Sequence, residues 1–215
     1  MEVERLADGL WRWTAPHPDW DASEGWDRDV ACVYYEAADA IVLVDPLVPA
    51  GEDEVPFWKA LDRDVRRARL PVHVLITIFW HVRSAAAVMA RYDARLWAPS
   101  RARAPIERRT GKVTDVFRPG DALPGGVESF ASGRRTEVVF WIPAHRTLVP
   151  GDAILGANGG GLRLCSASWL PRGVGPEKLR ATMRPLLELP VERVLVSHGD
   201  PVLSGGREAL AEILS

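Results

Sequence analysis

Cysteine is scarce. Two thiols, Cys32 and Cys165, stand far apart in 215 residues and make neither a disulfide framework nor a zinc knuckle. No apolar run approaches the ~20 residues that cross a bilayer. Neither sign of charge dominates: 27 Lys and Arg against 29 Asp and Glu leave a formal net charge of −2. Such a balance gives no overall field toward nucleic acid or an anionic membrane. The first residues, MEVERLADGLW, are acidic and amphipathic, unlike a secretory signal. G-x-S-x-G and S-x-x-K are both absent. The glycine-rich stretch GANGGG (156–161) lacks the lysine and helix start of a phosphate loop and reads as a flexible loop. Basic stretches at 63–69 and 101–109 are balanced by acids elsewhere and read as solvated faces. The expectation is a cytoplasmic protein with no nucleic-acid or membrane partner.

What is present suits one globular domain over residues 1–215, with 47% hydrophobic and 26% charged residues. Strand-like runs occupy 40–47, 72–77, 94–99, 127–132, 136–143, 146–155 and 192–199, bounded by Pro, Gly or Asp. Helical patterns fall at 55–69, 84–92 (with Ser84 as N-cap), 175–189 (kinked or ended by Pro185) and 206–214. The middle, 113–155, is mostly strand, which predicts two sheets with helices outside. Nine tryptophans read mainly as core, while those in 11–26, taken as exposed, suit a self-association face and a homo-oligomer.

Three chemically able residues each end a strand-like run in a polar turn: His81 after VLITIFW, Asp152 in TLVPGDAIL and His198 in VERVLVSHGDP. Layered α/β folds build sites on such a rim. Two imidazoles and a carboxylate can hold a divalent metal and leave positions open for an acidified water.

The order of these segments resembles the metallo-β-lactamase fold superfamily. Members have a strand ending in Asp, T-H-x-H-x-D-H before a helix, a G-H-T turn, a strand ending in G-D and a late G-H-G-P loop. Here VLVDP (with Asp45), LITIFWHVRSAAA, SGRRTEVVFWIP, LVPGDAIL and VLVSHGDPVL follow in that order, over about residues 30–203. The resemblance implies a four-layer αββα sandwich with its site along one edge.

Against that pattern the dense histidine motif is gone. Anchoring on Thr77 puts Ile78 and Trp80 at the first two histidine positions, Val82 at the aspartate and Arg83 at the third histidine. Anchoring on the helix puts His81 at the third histidine and Trp80 at the aspartate. GRRT stands where G-H-T is expected, so Arg134 or Arg135 replaces a ligand. The first metal site loses its three imidazoles in either register.

Two functional readings follow. In one, a single zinc, iron or manganese ion on His81, Asp152 and His198 serves a hydrolase acting on a small anionic ester, thioester or lactone. Asp152 and His198 are then the catalytic pair. In the other, a metal-free small-molecule-binding or non-catalytic relic, Arg83 and Arg134 or Arg135 neutralise Asp152. A functional variant of the second has Arg83, Arg134, Arg135 and Trp80 as a substrate-binding rim for an anionic or aromatic small molecule. Asp45 is expected to bond turn amides, His145 to lie in a solvated turn and His73 to pack in or edge a strand. Cys165 reads as an inert buried thiol. The segment 14–29, with His17, Asp19 and Asp21, reads as a flap over the pocket or a subunit contact.

Overall fold

The computed structural model describes residues 1–23, 25–157 and 159–215. Glu24, in the expected flap, and Asn158, in the glycine-rich stretch, lie outside the described residues. The chain opens with strands β1 (Glu2–Ala7), β2 (Leu10–Pro16), β3 (Asp29–Glu36) and β4 (Ile41–Val44). It continues through α1 (Glu54–Ala68), β5 (Val72–Leu75), α2 (Ala85–Tyr92), β6 (Arg95–Pro99), α3 (Arg103–Thr110) and β7 (Asp115–Phe117). The second half contains β8 (Glu128–Ala131), β9 (Val138–Ile142), β10 (Thr147–Val149), β11 (Ile154–Gly156) and β12 (Leu162–Leu164). It ends with α4 (Pro176–Met183), β13 (Arg193–Val194) and α5 (Gly206–Leu214).

Seven strands, β1 to β7, form one sheet in sequence order, antiparallel up to β4 and parallel beyond it. A second sheet runs β13-β10-β9-β8, and β11 and β12 pair as a separate hairpin. Strand alternation sorts the buried side chains into three layers. Val42 and Val44 of β4 meet Val138, Phe140 and Ile142 of β9 between the sheets. Ile41 and Leu43 face the other way, against Phe57 and Leu61 of α1, Val88 of α2 and Ile106 of α3. Val139 and Trp141 face away from the first sheet, against Leu179 and Met183 of α4 and Leu210 and Leu214 of α5. Helices therefore cover both outer faces of two packed sheets, as an αββα sandwich requires.

Departures from the sequence reading have local causes. The run expected at 146–155 breaks after Val149, at Pro150, which has no amide to donate; β10 and β11 then belong to different sheets, with Asp152 in the break. The basic stretch 101–109 is largely α3, with Ile106 buried. Ser84 occupies the N-cap position of α2 but makes no cap; its hydroxyl accepts from the Val48 amide at 2.9 Å. The tryptophans of 11–26 are not an exposed face: Trp13 is buried, Trp11 and Trp26 pack against the core, and Trp20 donates to the Trp26 carbonyl at 2.9 Å. Among the described residues, no helix is long and apolar enough to cross a membrane.

Candidate metal centre

The site is assembled from four strand ends on one edge of the sandwich. After β4 the chain turns through Asp45, at φ 49°, a left-handed conformation that Asp tolerates better than most residues. Its carboxylate accepts from the Thr77 amide at 2.9 Å and from the Thr77 hydroxyl, as expected for a turn-bonding aspartate. It also lies 2.9 Å from His81 Nδ1, a role the sequence reading did not give it. Thr77 is tied in turn to the second sheet, where its carbonyl accepts from Val138 at 2.9 Å. The turn carrying His81 is thus pinned on both sides.

His81, Asp152 and His198 come together: one ligating atom from each lies within 4.8 Å of the others, and all three residues are buried. His81 Nε2 is 3.1 Å and His198 Nε2 3.5 Å from the same oxygen, Asp152 Oδ1. These separations resemble the edge of a tetrahedral site, about 3.3–3.4 Å for bonds of about 2.0–2.1 Å. Asp152 Oδ1 has no hydrogen-bond partner of proper geometry, nor does His198 Nδ1. With Nδ1 of His81 protonated toward Asp45, its Nε2 lone pair faces a carboxylate oxygen. Two such lone pairs repel unless a proton or a cation lies between them. The donor set therefore fits a divalent ion.

The pKa directions describe the same pressure on the ion-free protein. Burial by itself lowers the His81 pKa, but the carboxylates of Asp152 and Asp45 outweigh it and raise the imidazole above its ordinary value. Burial by itself raises Asp152, yet His81 and His198 hold it well below the usual carboxylate range. For His198 burial wins, and its pKa falls.

Trp80 contacts Asp152 directly: its indole N–H donates to Oδ2 at 2.6 Å. This contact and the convergence of His81 agree with the helix-anchored register, in which Trp80 stands at the aspartate position. The arginines behave otherwise than expected. Asp152 is paired with His81 and His198 and bonded to Trp80, whereas Arg83 and Arg134 are committed elsewhere and Arg135 does not reach it. Arg83 sends Nη1 to the carbonyls of Ala31 (2.8 Å) and Asp45 (3.0 Å), and Nη2 to Ser197 Oγ (2.7 Å). It clamps three strand ends around the site. Arg134 places Nε 3.4 Å from Glu137 Oε2 and stacks over the Trp80 ring at 5.0 Å. Arg135 is exposed and lines a different cavity. The arginine-for-metal exchange at Asp152 is therefore corrected: two imidazole nitrogens and the Trp80 indole already surround that carboxylate.

The sequence reading missed Glu137. It is buried one residue before β9, accepts from the Ala153 amide (2.8 Å) and Ser132 hydroxyl (2.9 Å), and is raised by burial against the pull of Arg134. A lone carboxylate abutting the apolar run VVFWI, three residues after an arginine, was the available signal. Arg109 was also missed; it stacks over Phe79 at 5.3 Å and lines the site cavity. Nothing in a helical RR pair distinguishes it.

A cavity of about 420 Å³ opens over the centre, lined by Trp26, Trp80 and Trp169 and by Arg83, Arg109 and Arg134, among others. Trp26 meets the His198 ring edge-on at 5.3 Å, and His17 in turn meets Trp26 at 5.4 Å. Of the 14–29 segment, His17, Asp19 and Trp26 line the pocket. His73 is buried and accepts from Trp97 at 3.0 Å, and half-buried His145 packs against Tyr35. Cys165 is buried, and burial pushes its thiol up to about 11, as suits an inert cysteine. Behind His198 two backbones cross: a Cβ on Gly199 would lie 2.8 Å from the Gly156 carbonyl, and one on Gly156 would lie 2.4 Å from that of Asp200. The Gly156 amide donates to the His198 carbonyl at 2.9 Å across this crossing.

No family model matches the chain, and no curated protein matches it in sequence. Solved structures do match. The metallo-β-lactamase IND-7 is 17% identical, with 99% of this chain and 97% of that one covered at a TM-score of 0.67. FIM-1 from Pseudomonas aeruginosa, solved in a mono-zinc form, is 12% identical, with 99% and 92% covered at 0.69. A metallo-β-lactamase from Erythrobacter litoralis is 15% identical, with 99% and 93% covered at 0.69. Identities this low speak for architecture alone, and the architecture agrees with the sheets and layers described above: the chain has the metallo-β-lactamase fold.

Proposed function

We propose that the protein is a hydrolase of a small anionic ester, thioester or lactone, using one divalent zinc, iron or manganese ion held by His81, Asp152 and His198. The observation that carries this reading is the convergence of two imidazole nitrogens, at 3.1 and 3.5 Å, on one carboxylate oxygen that has no hydrogen bond of proper geometry, in a tryptophan-walled cavity. Such an ion supplies a Lewis acid and lowers the pKa of a bound water. The residues of the chain do the rest. Asp45 fixes the His81 tautomer through Nδ1, Trp80 holds Asp152 by its second oxygen, and Trp26 shields His198 from solvent. Arg109 and Arg134 give the cavity its positive potential and favour an anionic substrate.

The test is elemental analysis of protein purified without chelator or tag metal, with zinc titration of the wild type and His198→Ala. Near-stoichiometric metal, lost in the variant, together with turnover on a panel of acidic esters, thioesters and lactones, supports the proposal. Wild-type protein that takes up no metal sinks it. A second reading, a metal-free binding pocket, draws on the Trp80–Asp152 hydrogen bond, which already satisfies one carboxylate oxygen with a neutral donor. It requires ligand binding that survives exhaustive chelation.

A further inference from the structure

A second cavity, of about 790 Å³, shares Arg134 with the cavity over the metal centre and carries four further cations of its own. Its walls include five cationic side chains, Arg101, Arg118, Arg134, Arg135 and Lys178, and one carboxylate, Glu137. Five less one leaves a formal +4 on these walls, in a chain whose net charge is −2. Glu137 is already spent on Arg134, Ser132 and the Ala153 amide. Two neighbouring cations outside its walls have local acids, Arg103 with Glu107 and Arg180 with Glu177. Arg101, Arg118, Arg135 and Lys178 have no ion-pair partner among the described residues. Arg134, only 4% exposed, keeps Nη1 without a hydrogen-bond partner.

The cluster is brought together by the backbone. Gly133 sits at φ 95°, and a Cβ there would come within 3.2 Å of Leu179 Cα and 3.3 Å of the Lys178 carbonyl. Only glycine lets the first turn of α4 approach so closely, and that approach sets Lys178 beside Arg134 and Arg135. Arg101 comes from the turn before α3 and Arg118 from the residue after β7, with Pro99, Phe117 and Pro119 as stiff walls. A single carboxylate satisfies one guanidinium fork. Four cations with no ion-pair partner on the walls of one cavity, beside Arg134, match a ligand with several charges and many acceptor oxygens.

We propose that this cavity binds a phosphorylated small molecule carrying a diphosphate or similarly charged group. The site is independent of whether the His81–Asp152–His198 centre takes a metal. The experiment is calorimetric titration of the full chain, stripped of metal, with inorganic pyrophosphate, at low and at physiological salt, with sulfate as the control anion. The variants are Arg135→Glu/Lys178→Glu, both exposed positions, and His198→Ala. The expected result is one pyrophosphate per chain, bound more tightly than sulfate. The double reversal should weaken it about a hundredfold or more, at about tenfold per charged contact, and His198→Ala should leave it unchanged. Absence of pyrophosphate binding overturns the proposal. So does binding indifferent to the double reversal, or binding lost with His198→Ala.

Discussion

Two neighbouring regions of one rim have taken opposite courses. Around His198, three metal-type donors converge within 4.8 Å. Beside them, where the superfamily pattern has its other histidines, stand Ile78, fully buried, and the pair Arg134–Glu137 stacked on Trp80. The second region has been rebuilt as protein: its cation is a guanidinium and its counter-charge a buried glutamate. A resident guanidinium cannot leave, accept a ligand exchange or acidify a water, so the rebuilt half can bind and position but not activate. The contrast sets a cluster of donors able to hold an ion beside a pair whose charge is balanced within the protein.

The largest expected effect comes from breaking the rebuilt half. Glu137→Ala leaves Arg134 buried without its carboxylate and should cost about 3–5 kcal/mol in denaturant unfolding, since an uncompensated buried charge is strongly destabilising. Arg134→Met/Glu137→Leu should recover most of that loss; if it does not, the pair is doing more than neutralising itself. In the other half, Asp45→Asn should lower zinc affinity by about 10–100-fold while the protein stays folded, as for other partners that orient a ligating histidine. Unchanged zinc affinity would mean that His81 needs no orienting group. Trp80→Asp restores a carboxylate beside Asp152 and should tighten zinc by about tenfold, one ligand's worth, without creating a second bound ion. Two ions per chain in that variant would show the rebuilt half to be less final than its packing implies.

The smallest effect belongs to an exposed pair for scale. Asp62, bonded by the Arg91 fork, has its pKa held down to about 2. A depressed carboxylate stabilises the fold above the ordinary carboxylate range and loses that contribution as pH falls through its folded value. Asp62→Asn should therefore lower the melting midpoint by about 2 °C at neutral pH, with the difference fading below about pH 4 and gone by about pH 1. A difference that persists at pH 1 would assign the effect to packing.

Much of this molecule was legible in its sequence because its strands are apolar runs closed by Asp, His or Gly. Those punctuation marks placed Asp152 and His198 at the rim before any coordinates. The first two strands were not legible: EVERLA is half charged, and LWRWTAP sets an arginine between two tryptophans, so neither reads as an apolar run. The fate of the arginines was illegible for a different reason. Charge alone says that Arg83 and Arg134 belong near a carboxylate. Whether that is Asp152, Glu137 or a set of carbonyls depends on distances of a few ångströms that only the folded chain sets.

The glycine crossing behind His198 gives that imidazole an unusual mounting. Its loop rests on bare main chain, with no side chain between Gly199 and Gly156 to act as a spring. Such a joint has little give: the ring is aimed by the path of two backbones, and a methyl group added at either glycine would re-aim it. Position 199 should accordingly behave as an adjusting screw for the whole rim, moving the histidine's bite while the outer helices stay where they are.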